Sequence, residues 1–362
     1  MNFIKRALTS YLLLALVIPV VLYETASACT SLALVADDGA VVYGRTMEWG
    51  AFDLNSRVAI VPRGHEFQGH TPDGKPGHRW KARYGVVGLD ALEKDYMLTD
   101  GMNEKGLVMG FLYLPGFAKL QPYDPAQANI SMSSMELVNY VLTQFATVDE
   151  VRKGLKKIRV VPVPEPAFGG DPGPMHYTVI EKSGKAIVVQ YLKGKLKIFD
   201  NPLRVATNSP PFDWHMTNLR NYVNLSAVAW PAKKIEGMDF APIGAGSGFL
   251  GLPGDYTPPS RFVRAVAYTQ TARKTPDGDE TVYEVFRIMD NFNLPLGSAE
   301  GSDSDTKLLE GMRSSTCWTI AADTRNLKLY YHTQHNRKVR MVDLKRIDFS
   351  PNKEGLRRFP LD

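Results

Sequence analysis

Residues 26–49 read ASACTSLALVADDGAVVYGRTMEW, and the fold is decided here. Ser31–Val35 and Ala40–Gly44 are short β-prone runs on either side of Asp37-Asp38-Gly39, a strong turn signal, so the pattern predicts a hairpin that begins directly after Cys29. Upstream lie Lys5 and Arg6, an apolar run from Tyr11 to Tyr23, and Ala26-Ser27-Ala28. A positive start, a short apolar stretch and an A-x-A site describe a secretory signal peptide over residues 1–28. The run is shorter than the roughly 20 apolar residues that span a bilayer and is broken by Pro19, so no stable membrane anchor is expected after cleavage. The expected mature chain begins at Cys29 and forms a single domain, 29–362, in the periplasm.

A cysteine at that place has two readings. One is lipidation, which would make the protein a lipid-anchored envelope binding protein, but such sites usually carry Leu three residues earlier and Ala26 stands there. In the other the new terminus is itself the chemistry. Its thiol and a free α-amine sit on adjacent atoms, and an amine with a reference pKa of about 7.7–8.0 can take the thiol proton near neutral pH.

Further along, Arg57–Pro62 and Leu107–Leu114 read as strands, residues 64–79 as an irregular loop, and Asp100-Gly101 with Lys105-Gly106 as brackets of a turn. Leu137, Val138, Val141, Leu142 and Phe145 recur at helical spacing, and Thr147-x-x-Glu150 is a capping box for a second helix. A Pro- and Gly-dense loop at 161–174 precedes a meander at 175–181, 185–191 and 195–199. Then follow a strand at Arg204–Thr207, a helix near 214–223, helices near 260–272 and 279–292, and strands at 316–322, 327–333 and 338–344. Runs of strands alternate with pairs of helices, which predicts an α+β fold with mainly antiparallel sheets and helices layered outside.

The 362 residues are 44% hydrophobic and 22% charged, an ordinary globular balance. A charge of +5 from 43 basic and 38 acidic residues spread along the chain is not the concentrated stripe of a nucleic-acid binder, so no nucleic-acid partner is expected. Two cysteines exclude a disulfide scaffold and a four-cysteine zinc site; Cys317 reads as a buried small hydrophobe, or as a disulfide partner that would disable Cys29. Gly246-Ser247-Gly248-Phe249-Leu250-Gly251 spells a dinucleotide fingerprint, but Pro253 and Gly254 deny it the helix it needs. His65, His70 and His78 share one loop without a second cluster, and no metal is expected.

Cys29-Thr30-Ser31-Leu32 followed by Gly44-Arg45-Thr46-Met47-Glu48-Trp49 resembles the start of the choloylglycine hydrolase family, the bile salt hydrolases and penicillin V acylases. Similar blocks follow in order: Asp100-Gly101-Met102-Asn103; Thr207-Asn208-Ser209-Pro210 with Trp214-His215; and Gly251-Leu252-Pro253-Gly254-Asp255 with Ser260-Arg261-Phe262. The resemblance implies an N-terminal nucleophile hydrolase fold, a four-layer αββα sandwich of two antiparallel sheets. It also implies hydrolysis of a small-molecule acyl amide through a thioester, without a cofactor, and assembly as a homotetramer.

Carried over by resemblance, Cys29 is the nucleophile and Arg45 the arginine beside it. Asn208 and the main-chain N–H of Tyr113 are the oxyanion donors, and Arg261 is a second arginine near the nucleophile. Glu48 stands where most members have Asp; being one methylene longer, its carboxylate is expected to take a different pose. Tyr113 replaces the Asn of bile salt hydrolases and resembles the Tyr of penicillin V acylases, which favours aryl-acyl amides. Trp49, Phe111 and Tyr113 are expected to line an apolar acyl pocket. Penicillin V, a bile salt or an N-acyl homoserine lactone would each suit such a site.

Overall fold

The computed structural model describes residues 28–50, 53–299 and 315–362; the expected signal peptide, apart from Ala28, lies outside them. Two antiparallel sheets stack face to face. The smaller runs in the order β1 (Thr30–Val35), β2 (Val41–Trp49), β16 (Ser315–Asp323), β17 (Lys328–Thr333) and β18 (Arg340–Asp343). The larger has eight strands: β13 (Lys195–Asp200), β12 (Ala186–Leu192), β11 (Met175–Ile180), β8 (Val108–Tyr113), β7 (Leu98–Asn103), β6 (Val86–Asp90), β3 (Arg57–Val61) and β19 (Arg357–Pro360). Helices α1 (Leu137–Gln144) and α2 (Val148–Leu155) belong to the core of the larger sheet, α1 packing on β7 and β8. Helices α4 (Pro258–Thr271) and α5 (Gly278–Met289) pack on β1, β2 and β16.

The α+β, four-layer expectation therefore holds, and the reason is visible in the burial. Alternate residues of β1 and β2 enter different cores: Ala33, Val41, Tyr43 and Met47 join the cluster between the sheets, while Leu32, Leu34 and Val42 join the one beneath α4 and α5. β2 runs to Trp49, beyond the predicted Gly44, because Arg45, Thr46 and Glu48 break the apolar pattern in the sequence yet are buried and pair with β16. Gly44 is required where α5 crosses, since a β-carbon there would collide with Val285 Cγ1.

Several local expectations are corrected. The loop expected at 64–79 contains β4 (Glu66–Gln68), which pairs with β5 (Arg79–Lys81), Phe67 stacking on Trp80 with ring centroids 5.0 Å apart. Asp100-Gly101 lies inside β7 rather than in a turn, because Gly88 and Gly101 let β6 and β7 approach closely; the turn is at Glu104–Gly106. Arg204–Thr207 forms a single bridge, Ala206 to Ser31, instead of a strand. The helix near 214–223 starts at Phe212, and its α part, α3 (Phe212–Asn218), tightens into a 3-10 turn at Leu219–Tyr222. Thr147 Oγ1 does accept from Glu150 N, but the Glu150 carboxylate takes Ala146 N, so the cap is only half of the predicted box. The inner strands β6 and β7 were not expected from the sequence, nor were the pairing of β19 on β3, the short parallel pair β9 (Ser131–Ser133) with β10 (Arg159–Val161), and the exposed hairpin β14 (Lys233–Ile235) with β15 (Met238–Phe240).

Candidate active site

Pairing of Thr30 with Thr46 and Ser31 with Arg45 fixes which side chains meet at the start of β1. Cys29, Arg45 and Met47 fall on the face toward the larger sheet: Arg45 Nη2 is 3.5 Å from Cys29 Sγ, and Cys29 Sγ is 3.9 Å from Met47 Sδ. Both Cys29 and Arg45 are buried. A buried guanidinium needs fixed partners. Its Nη1 donates to Thr99 O at 2.9 Å and lies 3.3 Å from Asp100 Oδ2, which also accepts from Tyr43 OH at 2.8 Å. Phe111 and Trp318 flank it at 5.8 and 5.2 Å. Burial opposes the charge on Arg45, but Cys29, Asp100 and Tyr43 outweigh it and hold its pKa above the usual arginine value. Burial pushes the Asp100 carboxyl up to about 7, against the pull of Arg45.

The pocket for this pair is cut by a glycine. A β-carbon on Gly110 would overlap Asp100 Oδ2 and crowd Tyr43 OH. Gly110→Ala is expected to lower stability by about 1–3 kcal/mol through overpacking and to slow turnover by displacing Asp100 from Arg45. Thermal melting with a parallel activity assay checks this; an unchanged melting temperature and rate would contradict it.

The opposite face of β1 and β2 meets α4. There Arg261, fully buried, donates from Nη1 to Cys29 O at 2.6 Å and to Thr30 Oγ1 at 2.8 Å, and from Nη2 to Asn208 Oδ1 at 2.6 Å. Its Nε donates to Tyr256 O at 2.8 Å. Burial lowers the Arg261 pKa to about 10, with Glu48 and Cys29 opposing that shift, so it remains a cation at neutral pH. Since Oδ1 of Asn208 faces a guanidinium, its amide nitrogen must face the other way, and Nδ2 donates to Tyr113 O at 2.8 Å. The two arginines therefore grip the Cys29 backbone and thiol from opposite faces of one sheet.

Glu48 shares the Arg261 face. Its Oε1 accepts from Thr316 Oγ1 at 2.8 Å, while Oε2 is enclosed without a hydrogen-bond partner among the described residues. Burial raises its pKa to about 7, with Arg261 opposing. Continued by two residues, the β1–β2 register places position 28 across from Glu48.

The aromatic residues expected near the acyl group divide. Trp49 and Tyr113 meet edge to face at 5.9 Å, whereas Phe111 is buried against Arg45. Phe168 joins the cluster, 5.5 Å from Trp49, and was missed because it lies in the Pro-Gly loop at 161–174. Tyr43 and Asp100 were missed as well. Asp100 heads one of the blocks that carry the family resemblance, and the need of a buried arginine for a carboxylate is the physical signal that would have paired it with Arg45. Among the described residues no group of three or more His, Cys, Asp or Glu could hold a metal: His70 Nδ1 contacts Glu136, and His65 and His78 pack on Phe67 and Trp80. Cys29 and Cys317 are free thiols.

The profile of the linear amide C–N hydrolases, choloylglycine hydrolase family, matches residues 29–355. The chain belongs to the choloylglycine hydrolase family. It is 33% identical over 332 residues to the bile salt hydrolase/transferase of Clostridium perfringens, covering 91% of this chain and 94% of that protein. To the penicillin V acylase of Pectobacterium atrosepticum it is 27% identical, over 86% of this chain and 78% of the other. Among solved structures, a variant of the conjugated bile acid hydrolase from Clostridium perfringens superposes with a TM-score of 0.78 at 29% identity, over 91% of this chain and 96% of that one. The penicillin V acylase of Agrobacterium tumefaciens gives 0.72 at 25% identity, over 92% of each chain. This choloylglycine hydrolase family member is thus a linear amide hydrolase with the N-terminal nucleophile fold, and the five-block resemblance is borne out.

Proposed function

We propose that this enzyme is exported to the periplasm, loses residues 1–28, and cleaves small acyl amides through a thioester on Cys29. The observation that carries the mechanism is the double arginine grip on Cys29 with Asn208 locked beside it. The α-amine of Cys29 takes the thiol proton, and the thiolate attacks the amide carbon. The oxyanion is held by Asn208 Nδ2, which carries a second N–H besides the one given to Tyr113 O, and by the Tyr113 main-chain N–H. Proton return to the leaving nitrogen breaks the C–N bond, and water then hydrolyses the thioester to release the acid and the thiol. Arg45 stabilises the thiolate electrostatically. Glu48, across from position 28, holds the new α-amine once that position is vacated. No cofactor takes part.

The edge-to-face pair of Trp49 and Tyr113, extended by Phe168, favours an aryl or flat acyl group over a rigid steroid. Penicillin V is therefore expected to give a higher kcat/KM than glycocholate, with a long-chain acyl homoserine lactone as the third substrate to test. Tyr113→Asn is expected to shift the ratio toward glycocholate by one to two decades, from about 1–3 kcal/mol of relieved strain. An unchanged ratio would place specificity elsewhere. The rival reading, a lipid-anchored binding protein, would show the mass of a lipid on Cys29.

The homotetramer is proposed on the arm around β14 and β15, where Val228, Ile235, Met238, Phe240, Ile243 and Leu250 are all exposed. Apolar side chains so concentrated on a projecting hairpin fit the same surface of further copies of this chain. Light scattering is expected to return four chains, and Phe240→Asp with Ile243→Asp smaller species; a monomeric wild type would refute the assembly.

A further inference from the structure

Asn208 lies in a segment that belongs to no strand. Ala206 is tied to the edge of β1 by two hydrogen bonds, Ser31 N to Ala206 O at 2.8 Å and Ala206 N to Ser31 O at 3.0 Å, and there the ladder stops. The carbonyls of Thr207 and Asn208 are buried beyond it and must find side-chain donors. Each takes one from a buried histidine: His176 Nε2 is 2.8 Å from Thr207 O, and His215 Nε2 is 2.9 Å from Asn208 O.

The tautomer of His176 follows from its neighbours. Phe212 N, at the start of α3, can only donate, so the atom of Gln190 that it meets at 3.2 Å is the amide oxygen. Gln190 Nε2 then donates to His176 Nδ1 at 3.0 Å, which leaves the ring proton on Nε2 to serve Thr207 O. His215 rises from the same helix, one turn after Phe212, and its ring is held by stacking on Phe262 with centroids 4.8 Å apart. Burial lowers the pKa of His176 to about 3 and of His215 to about 4, so both rings stay neutral at working pH. The hydrogen bonds of both rings run to the chain around Asn208 and to Gln190 rather than to Cys29.

We propose that His176 and His215 are positioning residues: two neutral imidazoles, each donating one N–H, clamp the main chain on both sides of the Asn208 side chain. They thereby hold Asn208 Nδ2 where the oxyanion forms. Gln190 sets the tautomer of the first clamp. The inference rests on the oxyanion role assigned to Asn208 above. A donor displaced by about 1 Å can cost 10²-fold in rate, and its complete removal 10²–10³-fold.

The test is a set of kinetic cycles on the intact mature enzyme, with whichever of penicillin V, glycocholate and a long-chain acyl homoserine lactone it hydrolyses fastest. His176→Met and His215→Met remove the donor and keep bulk. Each is expected to lower kcat about 10- to 100-fold with KM changed less than about threefold, and His→Gln at either site, whose Nε2–H reaches similarly far, to recover most of the loss. Gln190→Met, which frees the tautomer without touching His176, is expected to lower kcat by a smaller factor and supplies the reading if His176→Met does not fold. In an Asn208→Ala background the histidine changes are expected to have no further effect on kcat, which a purely structural role would not produce. Folded Met variants with wild-type kcat, or losses that multiply with that of Asn208→Ala, would overturn the clamp. A fully active Asn208→Ala would instead overturn the oxyanion assignment.

Discussion

Cys29→Ser is expected to fold with wild-type stability and to hydrolyse its best amide at least ~10²-fold more slowly, because a serine hydroxyl is far harder to deprotonate by an amine near neutral pH. The change swaps one sulfur for oxygen in a site already held by Arg261 on the Cys29 carbonyl and by Arg45 near the thiol, so the scaffold has little reason to move. The same reasoning covers the terminus. While residue 28 remains attached, the nitrogen of Cys29 is an amide and cannot take a proton. A form made to retain Ala28 is therefore expected to be as inactive as Cys29→Ser, although Ala28 is accommodated without exposure. Amino-terminal sequencing of active enzyme should read Cys29 first. Full activity from Cys29→Ser, or from protein with a blocked terminus, would end the mechanism.

Arg45→Met is expected to damage both stability and rate. Breaking a buried ion pair by deleting one partner typically costs about 3–5 kcal/mol, since the other charge stays buried without compensation. Here that partner is Asp100, fully enclosed and keeping only Tyr43 OH of its two close side-chain donors. The pH dependence follows from burial. It already raises the Asp100 carboxyl to about 7 while Arg45 opposes, so removing Arg45 raises it further. A carboxyl whose folded pKa exceeds its unfolded value of about 3.9 adds stability that is whole below that value and lost as pH rises through the folded pKa. The deficit of Arg45→Met in denaturant melts is expected to be smallest near pH 5 and largest above about pH 8. A deficit that stays constant over that range would mean that Asp100 does not carry the penalty. Under the proposed mechanism turnover should fall as well, because the attacking sulfur of Cys29 loses the guanidinium 3.5 Å away.

Much of the frame was written in the local sequence. The hairpin across Asp37-Asp38-Gly39, the meander from Met175 to Asp200 and helices α1, α2, α4 and α5 rest on turn chemistry and periodicity, which neighbouring residues carry by themselves. The place of Cys29 at the start of a strand came from the same signals. Elements whose partners are remote in sequence were not legible. β19 is a strand because β3 offers an edge, and Arg204–Thr207 is not one because it meets β1 only at Ala206. Glycine misled the reading at Asp100-Gly101, where it serves close strand approach instead of a turn.

The sequence by itself determined which residues could do chemistry: a cysteine behind an A-x-A site, two arginines and an asparagine in ordered blocks. What it could not determine is how these groups face one another, because Cys29, Tyr113, Asn208 and Arg261 are separated by tens to hundreds of residues and meet only where the layers stack. Tertiary structure decided that Arg45 enters from between the sheets and Arg261 from beneath α4. It also decided that Asp100, seated where Gly110 leaves space, pairs with the first, that Phe168 joins Trp49, and that His176 and His215 hold the chain around Asn208. The physical reason is burial. A charged or polar group enclosed in a core must find its partner within hydrogen-bond reach in space, and no local pattern along the chain records where that partner will come from.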